Sequence, residues 1–326
     1  MKNFQIIKSL SSASAISNIS KEPSAKFIAG GTNLIDLMKK NITAPDKLID
    51  ITGLDLKNIV LHKGKITIGA MAKNSQVAED KVIKENYPLL SLALSAGASQ
   101  QIRNMATVGG NMLQRTRCPY FYNTDMPCNK RIAKSGCGAI GGSNRMHAIF
   151  GASESCIAVH PSDMCVALAA LDAIVVVEGQ KGKREIKFTD FHRLPGNTPE
   201  IDNTLGNKEI ITSVEIPENK FTKNCHYLKI RDRSSYAFAL ISVAVALEIQ
   251  NNIIKDVRLA MGGVAHKPWR LTEAEEFLKG KTISQTIFRQ AADLAMHGAR
   301  GYGDNNFKLK LGPNAITEAL TIAASK

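Results

Sequence analysis

The chain has 326 residues, a formal net charge of +13, 44% hydrophobic and 22% charged residues. This composition excludes a disordered chain and is enough for two or three domains with a substantial core. No apolar stretch approaches the roughly 20 residues needed to span a bilayer; the best candidate, Ala237 to Leu247, is too short. The positive charge raises the question of nucleic acid, but the basic residues fall in scattered pairs (Lys39/Lys40, Arg115/Arg117, Lys130/Arg131, Lys308/Lys310) without interleaved aromatics. A bound anionic cofactor and partner subunits with acidic faces account for the excess better.

In chain order, Met1 to Lys8 carries neither the apolar core of a secretory signal nor a twin-arginine pair, so the chain by itself reads as made and folded in the cytoplasm. Lys26 to Ile51 reads as a strand, a glycine turn, a helix near Thr32 to Lys40 and a second strand from Leu48: a small β–α–β unit. Asn58 to Leu61 and Ile66 to Ala70 form a hairpin that opens a new sheet. Helical text runs from about Ser75 to Ala96. Between Met112 and Pro161 the sequence is rich in Gly, Pro, Asn and Cys and has no period. Such a stretch is too long for a loop in a compact domain unless something ties it down. Ser162 to Ala173 is a helix with Ser162 or Asp163 at its start, leading into the strand Ile174 to Val177. Ile210 to Ile216 is a strand, and the polar run Glu218 to Asn224 is the expected domain boundary. Strands follow at Tyr227 to Arg231, Ile241 to Ile249 and Val257 to Met261, with Asn251-Asn252 as a turn. Helices near Thr272 to Leu278 and Ile283 to His297 complete a second α+β unit.

Two glycine segments could cradle a phosphate, Lys26-Phe27-Ile28-Ala29-Gly30-Gly31-Thr32-Asn33-Leu34 and Thr107-Val108-Gly109-Gly110-Asn111. Paired glycines let main-chain N–H groups approach an anion, although the same pairs also serve as plain turns. Neither is G-x-G-x-x-G or a Walker loop, so a Rossmann site and a P-loop are both disfavoured. Two cradles would instead clamp a pyrophosphate between subdomains. Of the six cysteines, Cys165 sits on an apolar helix and Cys225 beside a strand, and both read as core. Cys118, Cys128, Cys137 and Cys156 lie in the irregular segment, without any C-x-x-C pair. That weakens a zinc knuckle, and the missing signal peptide weakens disulfides. An iron–sulfur cluster with Arg115, Arg117, Lys130 and Arg131 nearby is the remaining metal reading. The histidines form no metal-ligand spacing and read as structural. Asp163, in His160-Pro161-Ser162-Asp163, either caps its helix or accepts hydrogen bonds from a ribose or adenine.

Together with Leu113-Gln114-Arg115-Thr116-Arg117-Cys118-Pro119-Tyr120-Phe121-Tyr122, Pro127 to Arg131, Arg231 to Leu240 and Gly262 to Arg270, these segments resemble the FAD-binding medium subunit of the molybdenum hydroxylases. The likeness is greatest to the aldehyde oxidoreductase branch and runs from about Lys2 to Leu320. The resemblance implies an α+β chain: a two-subdomain FAD-binding (PCMH-type) domain over 1–217, divided at 56/57 and with an iron–sulfur loop insertion at 112–161, then a C-terminal α+β domain over 218–326. It implies FAD held by Lys26 to Leu34 and by Thr107, Gly109, Gly110 and Asn111, with Asp163 on the adenosine side and Lys229 near the cofactor. It implies a [4Fe–4S] cluster on Cys118, Cys128, Cys137 and Cys156.

The expected partners are a [2Fe–2S] small subunit and a molybdenum-cofactor large subunit in a heterotrimer, with an external electron acceptor. The aldehyde is oxidised on the large subunit, and this chain has no catalytic residue of its own. Export to the periplasm follows only if a partner carries the signal. The alternatives are a 4-hydroxybenzoyl-CoA reductase subunit, with electrons running towards molybdenum, and a non-catalytic zinc scaffold.

Overall fold

A computed structural model describes residues 1–326. Three sheets organise the α+β chain. The first is parallel, in the order β1 (Gln5–Lys8), β3 (Lys47–Asp50), β2 (Lys26–Ile28). A helix at Ser12–Lys21 joins β1 to β2, and its start is closed by a capping box between Ser11 and Ser14. The short helix Leu34–Lys39 carries the chain from β2 to β3, as the sequence pattern predicts. Ile16, Ile19, Ile49, Ile51 and Leu54 fill the small core beneath.

The second sheet is antiparallel. Its strands are β4 (Ile59–His62), β5 (Lys65–Gly69), β6 (Ile174–Gly179), β7 (Gly182–Lys187) and β8 (Ile210–Pro217), in the order β4-β5-β8-β6-β7. The helical stretch expected over Ser75 to Ala96 is three helices, Asn74–Glu79, Lys81–Asn86 and Pro88–Ala96. Asp80 adopts extended dihedrals and its side chain accepts the Ile83 N–H, which restarts the helix. Pro88, lacking an N–H, then opens the third. Two short helices, Gln100–Met105 and Val108–Met112, and the fully buried helix Asp163–Ala170 complete this layer.

The third sheet, β12-β11-β10-β9, comprises β9 (Cys225–Ile230), β10 (Ile241–Gln250), β11 (Ile253–Gly262) and β12 (Trp269–Arg270). Asn251 and Asn252, at φ 52° and 62°, make the two-residue turn between β10 and β11. Ala244 and Ala246 on β10 face the core of the second layer, whereas Val243, Val245 and Leu247 face the helices Thr272–Leu278, Gln285–Ala295 and Phe307–Ala324. Both faces of β10 are therefore buried, and its sequence is apolar throughout rather than alternating. Residues 113–161 hold only the short helix Pro119–Tyr122 and the isolated bridges Cys128–Cys137 and Ser153–Cys156. No helix is long and apolar enough to cross a membrane.

Lys308 fixes the last helix to the rest. Its buried Nζ donates to the carbonyls of His147 (2.9 Å) and Gly263 (2.7 Å), and burial lowers its pKa to about 7. Because the unfolded chain keeps this proton up to its ordinary pKa near 10.5, stability should rise with pH between about 7 and 10.5, by up to about 1.4 kcal/mol per pH unit from this group. Denaturant unfolding of Lys308→Met across that window should lack this part of the slope; an unchanged slope contradicts the assignment.

Candidate functional site

The first glycine segment is an open row of donors. The main-chain N–H groups of Ala29, Gly30, Gly31, Thr32, Asn33 and Leu34 reach no acceptor in the chain, although all six residues are at least partly shielded from solvent. Gly31 has φ +71°, a conformation that L side chains rarely adopt. A Cβ on Gly30 would lie 2.0 Å from the Met105 carbonyl oxygen. The turn is thus pressed against the residues that precede Thr107, which places the two glycine segments side by side. Asn33 Oδ1 accepts the Arg115 N–H at 3.0 Å, and its buried Nδ2 has no partner.

Thr107 to Asn111 is not a second open cradle. The N–H groups of Val108 and Gly109 donate to Ala72 and Ala70, that of Gly110 to Thr107 Oγ1, and that of Asn111 to the Thr107 carbonyl. These bonds seat the short helix against β5, so the expectation of two open amide cradles is corrected to one. What the second segment offers a ligand is the exposed edge at Gly110 and the Asn111 side chain. Asn111 Oδ1 accepts from Ser162 Oγ at 2.6 Å.

Ser162, rather than Asp163, caps the helix Asp163–Ala170, accepting the Cys165 N–H. Asp163 is freed for other partners: Tyr227 Oη donates to its Oδ1 at 2.8 Å and Lys229 Nζ to its Oδ2 at 2.7 Å. Lys229 also donates to the Ala96 carbonyl at 3.0 Å, and its side chain is 4% exposed. The pair holds β9 to two helices. Desolvation and the Asp163 charge push the Tyr227 hydroxyl well above its usual pKa, keeping it a neutral donor. Asp163 and Ser162 line a cleft of about 150 Å³ together with Arg117, Phe238, Gly262 and Gly263. The glycine turn is not part of its lining; Arg117 connects the two through Asp36.

The four cysteines of the irregular segment line one cavity, which shares Thr116, Cys118 and His147 with the cleft. All six cysteines are free. Burial pushes the Cys118 thiol up to about 11. A hydrogen bond from the Cys156 thiol lowers Cys137 to about 6, and holding that shared proton raises Cys156. Lys130, buried beside the thiols, pairs with Asp202, which also takes Arg115 at 2.6 Å. The two cations outweigh burial and hold the Asp202 carboxyl below its usual range. Cys165 and Cys225 lie apart in the core, as the sequence indicates. Sequence reasoning missed His147 and His266, whose Nε2 atoms lie 3.1 Å from Cys118 Sγ and 3.3 Å from Cys156 Sγ. Their sequence distance from those cysteines gives no local signal.

Residues 2–219 match the family described as the FAD binding domain in molybdopterin dehydrogenase, and residues 226–319 match the CO dehydrogenase flavoprotein C-terminal domain. The chain belongs to the FAD-binding subunits of the molybdenum hydroxylases. It is an FAD-binding oxidoreductase component. It is 45% identical to the aldehyde oxidoreductase FAD-binding subunit PaoB of Escherichia coli over 330 residues, covering all of both chains. It is 27% identical to the glyceraldehyde dehydrogenase medium chain of Sulfolobus acidocaldarius, over 89% of this chain and 85% of that one. Among solved structures, the carbon monoxide dehydrogenase of Hydrogenophaga pseudoflava superposes with a TM-score of 0.78 at 22% identity, over 99% of this chain and 98% of the other. Quinoline 2-oxidoreductase from Pseudomonas putida 86 gives 0.77 at 24%, over 100% and 99%. These two likenesses concern the fold.

Removing one member of the buried pair should be costly because the other charge is left without compensation. Asp163→Asn should lower stability by about 3–5 kcal/mol, and Asp163→Asn with Lys229→Met should recover much of it in denaturant unfolding. Equal losses in the single and double variants would contradict a mutual pairing.

Proposed function

We propose that this chain is the FAD- and [4Fe–4S]-carrying electron-transfer subunit of a heterotrimeric molybdenum-dependent aldehyde oxidoreductase. The observation that carries this reading is the cavity lined by four thiols beside the cleft at Ser162 and Asp163, in a chain 45% identical along its whole length to an aldehyde oxidoreductase FAD-binding subunit. In this reading the aldehyde is oxidised at a molybdenum cofactor on a large subunit, electrons cross a [2Fe–2S] small subunit, and they leave through FAD to an external acceptor. The complex is carried to the periplasm by a signal on a partner.

Bound FAD supplies the redox chemistry, and the chain's residues hold and bias it. The unpaired amides of residues 29–34 fit a pyrophosphate, since a row of N–H groups compensates a diffuse anion without a charged side chain. Asn33 Nδ2, orphaned and buried, is a further donor for it. Of Thr107, Gly109, Gly110 and Asn111, the exposed Gly110 and the Asn111 side chain would hold the ribityl chain, with Asn111 fixed by Ser162 and with Thr107 and Gly109 shaping the turn from beneath. Asp163 presents its carboxylate at the cleft, and Lys229 positions that carboxylate from behind.

Four thiols around one cavity fit a thiolate-ligated iron–sulfur cluster, which supplies one-electron chemistry. A single zinc would draw four sulfurs to roughly 3.8 Å from one another. The one set of three such ligand atoms within 4.8 Å in this chain is His160, Cys165 and His192, and the four thiols form no such set. The four sulfurs are thus not gathered to the spacing one ion needs, although Cys137 and Cys156 share a hydrogen bond. Lys130 and the amides of residues 120, 121, 139, 140, 157 and 158 favour the thiolate form.

Gly31→Val should reduce FAD content at least roughly tenfold, because strain at positive φ of about 1–3 kcal/mol adds to the loss of approach space; full flavin occupancy in the purified complex would refute the cradle. Cys128→Ser should remove four irons from this subunit, a hydroxyl being a poor ligand to iron in a cluster. Cys165→Ala should leave iron unchanged and cost about 1–2 kcal/mol of packing stability. Iron retained in Cys128→Ser, or lost in Cys165→Ala, would overturn the ligand set.

A further inference from the structure

His147 and His266 come from different parts of the chain, yet each directs Nε2 at the sulfur of one proposed ligand cysteine, at 3.1 Å from Cys118 and 3.3 Å from Cys156. Both rings are buried, 3% and 7% exposed. In each ring the other nitrogen, Nδ1, is buried without a hydrogen-bond partner. The Asn144 carbonyl lies near enough to His147 to favour its charged form but does not accept a bond from Nδ1. Nothing else in the chain therefore fixes the proton on Nδ1. A ligand thiolate only accepts hydrogen bonds, so the Nε2–H tautomer is the one that satisfies the contact.

We propose that His147 and His266 are N–H donors to the ligand sulfurs of Cys118 and Cys156 and that they raise the reduction potential of the [4Fe–4S] cluster. The inference rests on the cluster reading and adds to it the residues that tune the cluster. Reduction adds one electron, and the added negative charge spreads onto the ligand sulfurs. A donor aimed at a sulfur therefore stabilises the reduced form more than the oxidised one. Backbone amides already reach Cys118, Cys137 and Cys156. The imidazoles add donors that, unlike backbone amides, can be changed one at a time.

The anchoring is specific. The His147 carbonyl is held by Lys308 Nζ at 2.9 Å, and its N–H donates to the Asn144 carbonyl. His266 follows Val264 and Ala265, whose carbonyls accept from Ile149, Phe150 and His160. His266 is thus carried on backbone that follows β11, outside the segment that bears the thiols, whereas His147 belongs to that segment and is tied by Lys308 to the last helix. A change in packing between the third sheet and the cysteine segment would alter the His266–Cys156 contact directly.

The test is a redox titration of the purified complex followed by electron paramagnetic resonance, with iron and FAD content measured on each sample. His147→Leu and His266→Leu should keep four cluster irons and full FAD, each with a lower cluster potential than wild type and lower still in the double variant. His→Gln at either position, which restores an N–H near the place of Nε2, should return most of the shift. Unchanged potentials in iron-replete Leu variants would overturn the proposal. Should the Leu variants lose iron, electron–nuclear double resonance on the wild-type complex with ¹⁵N-labelled histidine decides. Weak ¹⁵N couplings to the reduced cluster, with an exchangeable proton, support the donors. No coupling, or the strong coupling of a directly bound nitrogen, overturns them. Absence of the cluster from wild type would instead remove the reading on which the proposal stands.

Discussion

Residues 113–161 contain too little regular backbone structure to hold their own shape, and everything distinctive about this chain depends on how side chains hold them. Asp202 is the hub of one anchor, taking buried Lys130 and Arg115 from the segment. Arg131 gathers the carbonyls of Tyr120, Phe121, Thr124 and Met126 around its guanidinium. At the far end Asn144 donates to the Tyr302 carbonyl, and Asn305 and Lys308 reach the backbone at 147–148. Each anchor satisfies buried polar groups that would otherwise cost the fold dearly. What they enclose is a cavity bordered by four thiols, with Lys130 as its buried positive charge. A cluster tied to those thiols would add the one cross-link the segment lacks.

The same geometry explains how so long a segment leaves the FAD-binding fold undisturbed. It departs after the helix Val108–Met112 and returns at the helix Asp163–Ala170, and the two are joined by the hydrogen bond from Ser162 to Asn111. The fold closes across the gap as though the chain were continuous. Behind that seam the Asp163–Lys229 pair and Tyr227 connect the second layer to the third sheet. The cleft, the thiol cavity and the domain contact therefore share a wall, and Cys118 and His147 belong to both spaces.

Much of this was legible from the sequence because it is written in local chemistry. Strands β2 to β6 and β8 to β11 follow from alternating or continuous apolar runs, and Asn251-Asn252 marks its turn. Gly30-Gly31 announces a tight approach that the structure places against Met105. The helix Ser12–Lys21 was not anticipated, since its apolar residues are few and separated by serines. The three-way break of 74–96 turns on Asp80 acting as a cap in mid-stretch. Thr107 to Asn111 looked like a second cradle because a glycine pair signals freedom, not which acceptors its amides will find; Ala70 and Ala72 are brought there by β5. Asp163 read as a cap because Ser162 and Asp163 are equally good candidates, and only tertiary contact with Lys229 separates them. His147 and His266 lay beyond reach for the same reason: their partners are 29 and 110 residues away.

Flavin, iron, acid-labile sulfide and zinc content of the full-length chain, purified anaerobically and read beside its visible spectrum, tests the central claim most directly. One FAD, four irons with matching sulfide and no stoichiometric zinc is the expected result. A colourless chain holding zinc at the four thiols would contradict it.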